Sequence, residues 1–506
     1  MATVIEPLIQ ALQNPAIYDH PVAEFKVVET HISWVILTGP VAYKIKKPVD
    51  LGFLDFTTLE KRRTYCEEEI RINRRLCPDL YLDVVPITGR PGHPELGGRG
   101  TPFEYAVKMR QFDEDLLWDR MVLRNEITPA QLEHLAAIVA EFHRKASRAT
   151  PPQSWGTPET IWTGIELTLG KLVPHLVRSE DRALYGRVVD WNRQEFKLMA
   201  LRMLQRLREG FVREGHGDLH LRNIALFSRD KPDILVFDGI EFDDTLRWID
   251  VINDVAFLMM DLNHRGRSDL GWRFLNSYLE ITGDYKGLDL LRFYAANRAL
   301  VRAEVLAILS GPGLPPASRE FLTAAEAYTH SPTPCLYITH GLSGSGKTTL
   351  TKEFAIQKSA IRIRSDIERK RLYGLAPEAS SSEALKTVMY GPEGNLRTYG
   401  HLKDLTGHLL KARWNVIVDA TFLKRESRGR FQELAYDCDA DFAILDFRAD
   451  EETLRRRIRQ RIREQQDASE ADLQVVDDQI RTHQDITNEE KPFVIAVDTE
   501  AAQQPK

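Results

Sequence analysis

Gly341-Leu342-Ser343-Gly344-Ser345-Gly346-Lys347-Thr348 decides how the C-terminal part of this chain folds. It is a complete G-x-x-x-x-G-K-[ST] phosphate loop, entered from the apolar run Cys335 to Ile338 and followed by a helix-compatible stretch. Glycines here let successive backbone N–H groups turn toward a β-phosphate, a lysine neutralises β/γ charge, and the final hydroxyl can sit on Mg²⁺. The pattern assigns Gly341, Ser343, Gly344, Ser345, Gly346, Lys347, Thr348 and Thr349 to nucleotide binding, with Thr348 also on the metal. Strand, loop and helix in this order count against a Gly-rich turn that binds nothing.

Over a hundred residues upstream stands a second, unrelated phosphoryl-transfer signature. His216-Gly217-Asp218-Leu219-His220-Leu221-Arg222-Asn223 fits H-x-D-L-x-x-x-N, and Phe237-Asp238-Gly239 fits the D-x-G that follows it. The spacing has a chemical reason: Asp218 accepts the proton of an attacking hydroxyl, while Asn223 and Asp238 hold Mg²⁺ against the phosphates. Asp233 to Phe237 reads as the strand between them. Val41-Ala42-Tyr43-Lys44 matches the V-A-I-K strand, which puts Lys44 on the α/β-phosphates; Lys46 shares its face and remains a rival. A helix carrying Glu67, Glu68 and Glu69 follows, and Glu69 is taken as the partner of the lysine. His143, His216 and His220 read as structural, and Asp254 as a brace for the catalytic loop.

On Lys44, Asp218, Asn223, Asp238 and the helical segment Leu132 to His143, residues 1–325 resemble an aminoglycoside-phosphotransferase-type kinase. The resemblance implies a two-lobed α+β fold related to the protein kinases, using ATP and Mg²⁺. It departs in one place: no G-x-G-x-x-G loop precedes Lys44, and Thr30 to Leu37 with Val41 to Lys46 form a hairpin around Gly39-Pro40 instead. The Gly/Pro-rich stretch Gly89 to Pro102 reads as a long hairpin tip. Met109 to Phe112 falls where such kinases join their lobes and bind adenine through the backbone.

Beyond the phosphate loop, Ile361 to Arg364 alternates like a strand and ends at Asp366, and the apolar strand Val416 to Val418 delivers Asp419. In an open parallel sheet, ligands lie beyond the carboxyl ends of the strands, so these two acids and the phosphate loop should converge. Leu454 to Arg463 is an arginine-dense helix. Residues 335–506 thus resemble the α/β P-loop kinases of the gluconate kinase, zeta-toxin and polynucleotide kinase group. That resemblance implies Asp366 as the base, Asp419 as a Walker B-like organiser of Mg²⁺, and Arg457 or Arg461 as the lid cation. Each has a plainer alternative: Asp366 as a helix N-cap, Asp419 as a strand-end brace, the arginines as a solvated face.

The breaks Gly311 to Pro316 and Ser331 to Pro334 mark residues 311–334 as a linker with a short helix, Arg319 to Tyr328, between the domains. A net charge of −6 argues against general duplex nucleic-acid binding, although a nucleic-acid end, for which the arginine cluster speaks, or a nucleotide sugar stays open as an acceptor of the P-loop domain. Four scattered cysteines, no leader segment and no apolar run of membrane-spanning length predict a cytoplasmic enzyme with no membrane partner. The sequence therefore predicts two phosphotransferase modules acting on a hydroxyl-bearing small molecule. A regulatory ATP-binding switch is the alternative from another class.

Overall fold

β-Branched and aromatic residues dominate the segments on either side of Gly39-Pro40, and such residues suit the half-buried surface of a sheet. The computed structural model, which describes residues 2–52, 54–311, 313–377, 379–464 and 469–499, divides into two compact units. The first runs to Gly266 and resumes at Phe293–Glu326; the second comprises Arg267–Arg292 and the residues from Ala327 onward.

Unit 1 opens with β1 (Lys26–Glu29), β2 (Ser33–Leu37), β3 (Val41–Lys46), β4 (Tyr81–Arg90), β5 (His93–Leu96) and β6 (Glu104–Arg110), an antiparallel sheet in the order β1-β2-β3-β6-β4-β5. The Gly89–Pro102 stretch, expected as a loop tip, holds β5, which pairs with β4 from Ile87↔Leu96 to Arg90↔His93. Gly89, at φ +82°, permits the tight turn that lets the chain fold straight back into the ladder. Between β3 and β4 lies the helix Leu59–Asn73, capped by Thr58. Its buried positions Arg62, Cys66, Glu69, Ile70 and Asn73 follow the helical repeat. That repeat explains why Glu69, rather than Glu67 or Glu68, points inward.

The rest of unit 1 is mostly helical. The segment Leu132–His143 lies inside the helix Pro129–Lys145, opened by a capping box between Thr128 and Gln131. Two small antiparallel ladders flank the His216–Asn223 and Phe237–Gly239 segments: β7 (Val212–Glu214) pairs with β10 (Trp248–Asp250), and β8 (Ile224–Leu226) with β9 (Ile234–Val236). The sheet, the inserted helix and the helical lobe make unit 1 a two-lobed, protein-kinase-like α+β fold.

Unit 2 is a parallel α/β sheet of β11 (Cys335–His340), β12 (Ala360–Arg364), β13 (Asn415–Asp419), β14 (Asp441–Arg448) and β15 (Val494–Asp498), ordered β12-β13-β11-β14-β15. The chain leaves β11 toward one edge and later returns to its other side at β14. The reversal of direction sits at the phosphate loop, where such sheets bind ligands. Unit 2 also recruits Arg267–Arg292 from within the N-terminal segment, which the linker at 311–334 does not reveal. Asn276, on the helix Ser268–Thr282, donates to the Ala360 carbonyl (3.0 Å) and accepts from the Arg362 amide (2.8 Å), so a side-chain amide occupies the edge of β12. No helix among the described residues is long and apolar enough to cross a membrane.

Candidate active sites

Strand β3 delivers Lys44 and Lys46 from the same face, and the structure uses both. Lys44 Nζ lies 2.8 Å from Glu69 Oε1 and 2.6 Å from Asp238 Oδ1. Lys46 Nζ takes the other Glu69 oxygen at 2.7 Å and pairs with Glu241. Burial disfavours the Lys44 ammonium, but Asp238, Glu69 and Glu241 outweigh it and hold its pKa well above the ordinary lysine value. Lys46 and Lys44 are therefore not rivals: the first anchors Glu69 from behind while the second faces Asp238. Glu241, three residues after Asp238, and Lys46, two after Lys44, carried the only sequence signal for this second pair.

The loop from His216 to Asn223 is held both by its neighbours and by bonds within itself. Asp254 accepts from the backbone amides of His216 (2.8 Å) and Gly217 (2.9 Å), as the sequence reading expected of a brace, and lies 3.3 Å from His143 Nε2. Asp261 accepts from the Leu221 amide at 2.9 Å. Within the loop, Asn223 Nδ2 donates to the Asp218 carboxylate (2.9 Å) and to its carbonyl (3.0 Å). His220, read from sequence as structural, sits 3.2 Å from Asp218 Oδ2 and so touches the carboxylate itself. Burial raises the Asp218 pKa, yet His220, His216 and Arg302 more than offset it and hold the group well below the usual carboxylate range.

Asp238 adopts left-handed backbone at φ +60°, uncommon for a residue with a side chain. Its amide is held by the Tyr81 hydroxyl at 3.1 Å, and the next amide, Gly239, by Asn73 Oδ1 at 2.7 Å. The bend and its two clamps aim the carboxylate at Lys44. In place of a glycine-rich loop, the β1–β2 turn is closed by Thr30, whose Oγ1 accepts from the Ser33 amide (2.9 Å). At the far end of the sheet Gln111 joins the Gly39-Pro40 tip through both backbone (3.1 Å) and side chain (3.0 Å).

In unit 2 the phosphate loop borders a cavity of about 1040 Å³, which Asp366, Asp419, Arg457 and Arg461 also line. Gly341 is required by close approach, since a Cβ there would meet the Phe447 carbonyl at 2.5 Å; Gly346, at φ +89°, turns the chain into the helix Lys347–Gln357. Lys347 Nζ folds onto the carbonyls of Gly341 (2.9 Å) and Leu342 (2.7 Å). Burial is the largest influence on this lysine and, against Asp419 and Asp366, pushes its pKa down to about 8. Asp366 stands in the first turn of Ser365–Leu372, whose N-cap is Arg364, so the N-cap alternative does not describe it. Asp419 ends β13 and accepts from Thr351 Oγ1 at 3.1 Å.

The arginine-rich helix Glu451–Glu464 presents its members unequally. Arg457 reaches the Gly344 carbonyl (3.4 Å) and the Thr499 carbonyl (3.2 Å), and Arg461 donates to Ala471. Arg455 instead pairs with Glu451 and Asp477. Gln479 carried no sequence signal, yet it accepts from the Ser343 amide (2.8 Å) and donates to the Ser343 hydroxyl (3.1 Å).

Mg²⁺ fits the donors in both units. In unit 1, Asn223 spends its NH₂ on Asp218, which leaves Oδ1 as an acceptor, and one Asp238 oxygen is free of Lys44. In unit 2, Thr348 and Asp419 line one cavity. Such sites supply one or two hard oxygens and leave the remaining positions to phosphates and water.

The fold and these residues define a protein-kinase-like unit joined to a P-loop unit of the small-kinase type. A family model described as an AAA domain matches residues 336–486. The chain belongs to the same family as the mycobacterial proteins "Uncharacterized protein Rv2004c" and "Uncharacterized protein MT2060", both of Mycobacterium tuberculosis. Each is 30% identical over 436 residues, which is 85% of this chain and 85% of the relative. Among solved structures, it is similar to a choline/ethanolamine kinase family protein from Mesorhizobium loti (10% identity, 70% of this chain and 99% of that one, TM-score 0.41). Similarity also extends to aminoglycoside 2'-phosphotransferase-IIIa (15% identity, 64% and 98%, TM-score 0.40) and to a gluconokinase from Sinorhizobium meliloti (21% identity, 34% and 85%, TM-score 0.24).

Proposed function

We propose that this chain is a cytoplasmic ATP- and Mg²⁺-dependent phosphotransferase with a transfer site in each unit, acting on a hydroxyl of a small molecule. The observation that carries the reading is the joining of Lys44, Glu69 and Asp238 in one ion-pair chain beside an Asp218–Asn223 pair. In unit 1, Lys44 would hold the nucleotide phosphates, and Asn223 and Asp238 the metal. Mg²⁺, when bound, neutralises charge on the transferring phosphoryl group. Asp218, kept ionised by His220, receives the acceptor proton as the hydroxyl oxygen attacks.

In unit 2, Lys347, Thr348 and Asp419 take the corresponding phosphate and metal duties, with Asp366 as base and Arg457 and Arg461 as lid cations. A second reading of this unit is favoured by the bonds of Lys347 and Gln479 within the phosphate loop. Nucleotide must replace those bonds on entry, which suits a switch. γ-Labelled ATP offered with a panel of hydroxyl-bearing metabolites and nucleic-acid ends tests both. Asp218→Asn should lower unit 1 turnover by about 10²–10⁴-fold while ATP still binds, and unchanged turnover would remove the assignment. Label transfer that persists in Asp218→Asn and is lost when Lys347→Ala is added to it makes unit 2 a catalyst; its absence from Asp218→Asn favours the switch.

A further inference from the structure

The two histidines of the loop from His216 to Asn223 share one arrangement and differ in what it serves. In both rings Nδ1 accepts from the backbone amide two residues on: His216 from Asp218 (3.2 Å) and His220 from Arg222 (3.2 Å). A ring nitrogen that accepts carries no proton, so in the neutral imidazole the proton sits on Nε2. His216 spends that N–H on the Phe237 carbonyl at 2.9 Å, a bond to backbone. His220 turns its Nε2 to the Asp218 carboxylate, 3.2 Å from Oδ2.

The His220 ring is fixed from two sides. Its bond to the Arg222 amide caps the short turn Leu221–Asn223. The ring also meets the buried Phe257 edge-on, with 5.2 Å between centroids, and His220 is itself buried. A flip of the ring would set a carbon against the Arg222 amide and leave that donor without its acceptor.

The carboxylate is consequently held by one oxygen. Asn223 Nδ2 donates to Oδ2 at 2.9 Å, the same atom that His220 faces. Oδ1 accepts from no described residue, and the Asp218 side chain is 35% exposed. Two partners on Oδ2 fix the rotation of the carboxylate and leave Oδ1 uncovered.

We infer that His220 is a positioning residue of unit 1: through Nε2–H it makes Oδ1 of Asp218 the atom that receives the acceptor proton. The inference rests on the phosphotransferase reading of unit 1. In the step, the acceptor oxygen bonds to the γ-phosphorus while its proton moves to Oδ1. The bond from that phosphorus to the bridging oxygen of ATP breaks, and ADP leaves with the electron pair. A carboxylate free to rotate would lose its aim at the hydroxyl, which acts on the transfer step and not on nucleotide binding.

Two substitutions divide the ring between its two contacts. His220→Asn keeps an acceptor at about the place of Nδ1 and has no atom at Nε2. His220→Gln keeps an N–H donor at about the place of Nε2 and gives up the acceptor for Arg222. Both are made in the full chain carrying Lys347→Ala, which silences the P-loop site. The probe is label leaving γ-labelled ATP, with Mg²⁺, for water or for a panel of hydroxyl-bearing metabolites. His220→Asn should lower kcat by about tenfold or more with the KM for ATP unchanged, and His220→Gln should recover most of that loss. Thermal stability should run the other way, because the asparagine retains the cap and the glutamine does not. Activity that follows stability, with the glutamine variant the poorer enzyme, would make His220 a structural cap and overturn the inference. A kcat untouched by either substitution would do the same. The tautomer is read without turnover: nitrogen-15 spectra of histidine-labelled protein, with His220 identified by its absence from His220→Gln, should show Nε2 protonated. A proton on Nδ1 would overturn the inference too. A parent chain that moves label to none of these acceptors, or one whose transfer survives Asp218→Asn, would instead sink the phosphotransferase reading beneath it.

Discussion

Two ionisable residues show how position sets charge. Asp218 sits where His220, His216 and Arg302 hold its carboxyl ionised, and Lys347 sits where burial drains its affinity for a proton to a pKa of about 8. A nucleotide bound at the phosphate loop needs Lys347 charged. Below about pH 8 the free protein already carries that proton; above it, binding must take one up. Nucleotide affinity at unit 2 should therefore weaken as pH rises past this value, by up to about tenfold per pH unit. Calorimetry in buffers of different ionisation enthalpy would register the proton uptake, and an affinity flat from pH 7 to 10 would contradict the buried, depressed lysine.

At the scale of elements, the helix Leu59–Asn73 matters because its buried face ends in a charge. Glu69 is fully buried and ties the helix to β3 through Lys44 and Lys46. Removing one member of such a cluster leaves buried charge uncompensated, so Glu69→Gln should destabilise unit 1 by about 3 kcal/mol or more. The urea midpoint of the unit 1 transition measures it, and a loss under 1 kcal/mol (~) would mean the cluster contributes little. The helix Ser268–Thr282 does a different job, since Asn276 completes the hydrogen bonding at the edge of β12. Asn276→Ala leaves a carbonyl and an amide without these partners and should cost unit 2 about 2 kcal/mol. A substitution with no effect on the unit 2 midpoint would show that water replaces the amide.

At the scale of the whole chain there are two candidate phosphate-binding constellations, one in each unit, built on unrelated sheets. Titration with a non-hydrolysable ATP analogue should count two sites, and Lys347→Ala should remove one of them. A single site in the unaltered protein would show that one constellation binds no nucleotide. The two-unit division also bears on dissection. A fragment starting near residue 327 lacks Arg267–Arg292, including Asn276 and the Arg292 guanidinium that donates to the Ala412 (2.8 Å) and Arg413 (2.7 Å) carbonyls. Such a fragment should melt lower and aggregate through the bared edge of β12, whereas one that retains those residues should not.

Local spacing was enough for the two phosphate motifs, though not for β5 inside the Gly89–Pro102 stretch or for the contact of His220 with Asp218. The phosphate loop needs glycine at particular backbone angles, and H-x-D-L-x-x-x-N needs its acid and amide five residues apart, so both were legible by inspection. Glu69 could be preferred among three consecutive glutamates, and the helical repeat later gave the reason. Long-range pairing was not legible in this way. That Lys44 and Lys46 share Glu69, that Asp238 is clamped by Tyr81, and that Gln479 reaches the phosphate loop are outcomes of packing between segments tens to hundreds of residues apart. The recruitment of Arg267–Arg292 into unit 2 belongs with them: glycine and proline mark where a chain bends, but which core a helix joins is decided by the surface that buries its apolar face. Sequence alone thus determined which phosphate motifs each half of the chain carries, because such motifs reside in short runs with strict backbone needs. Tertiary structure alone decided which charges meet, because burial and ion pairing depend on what the fold brings within a few ångströms.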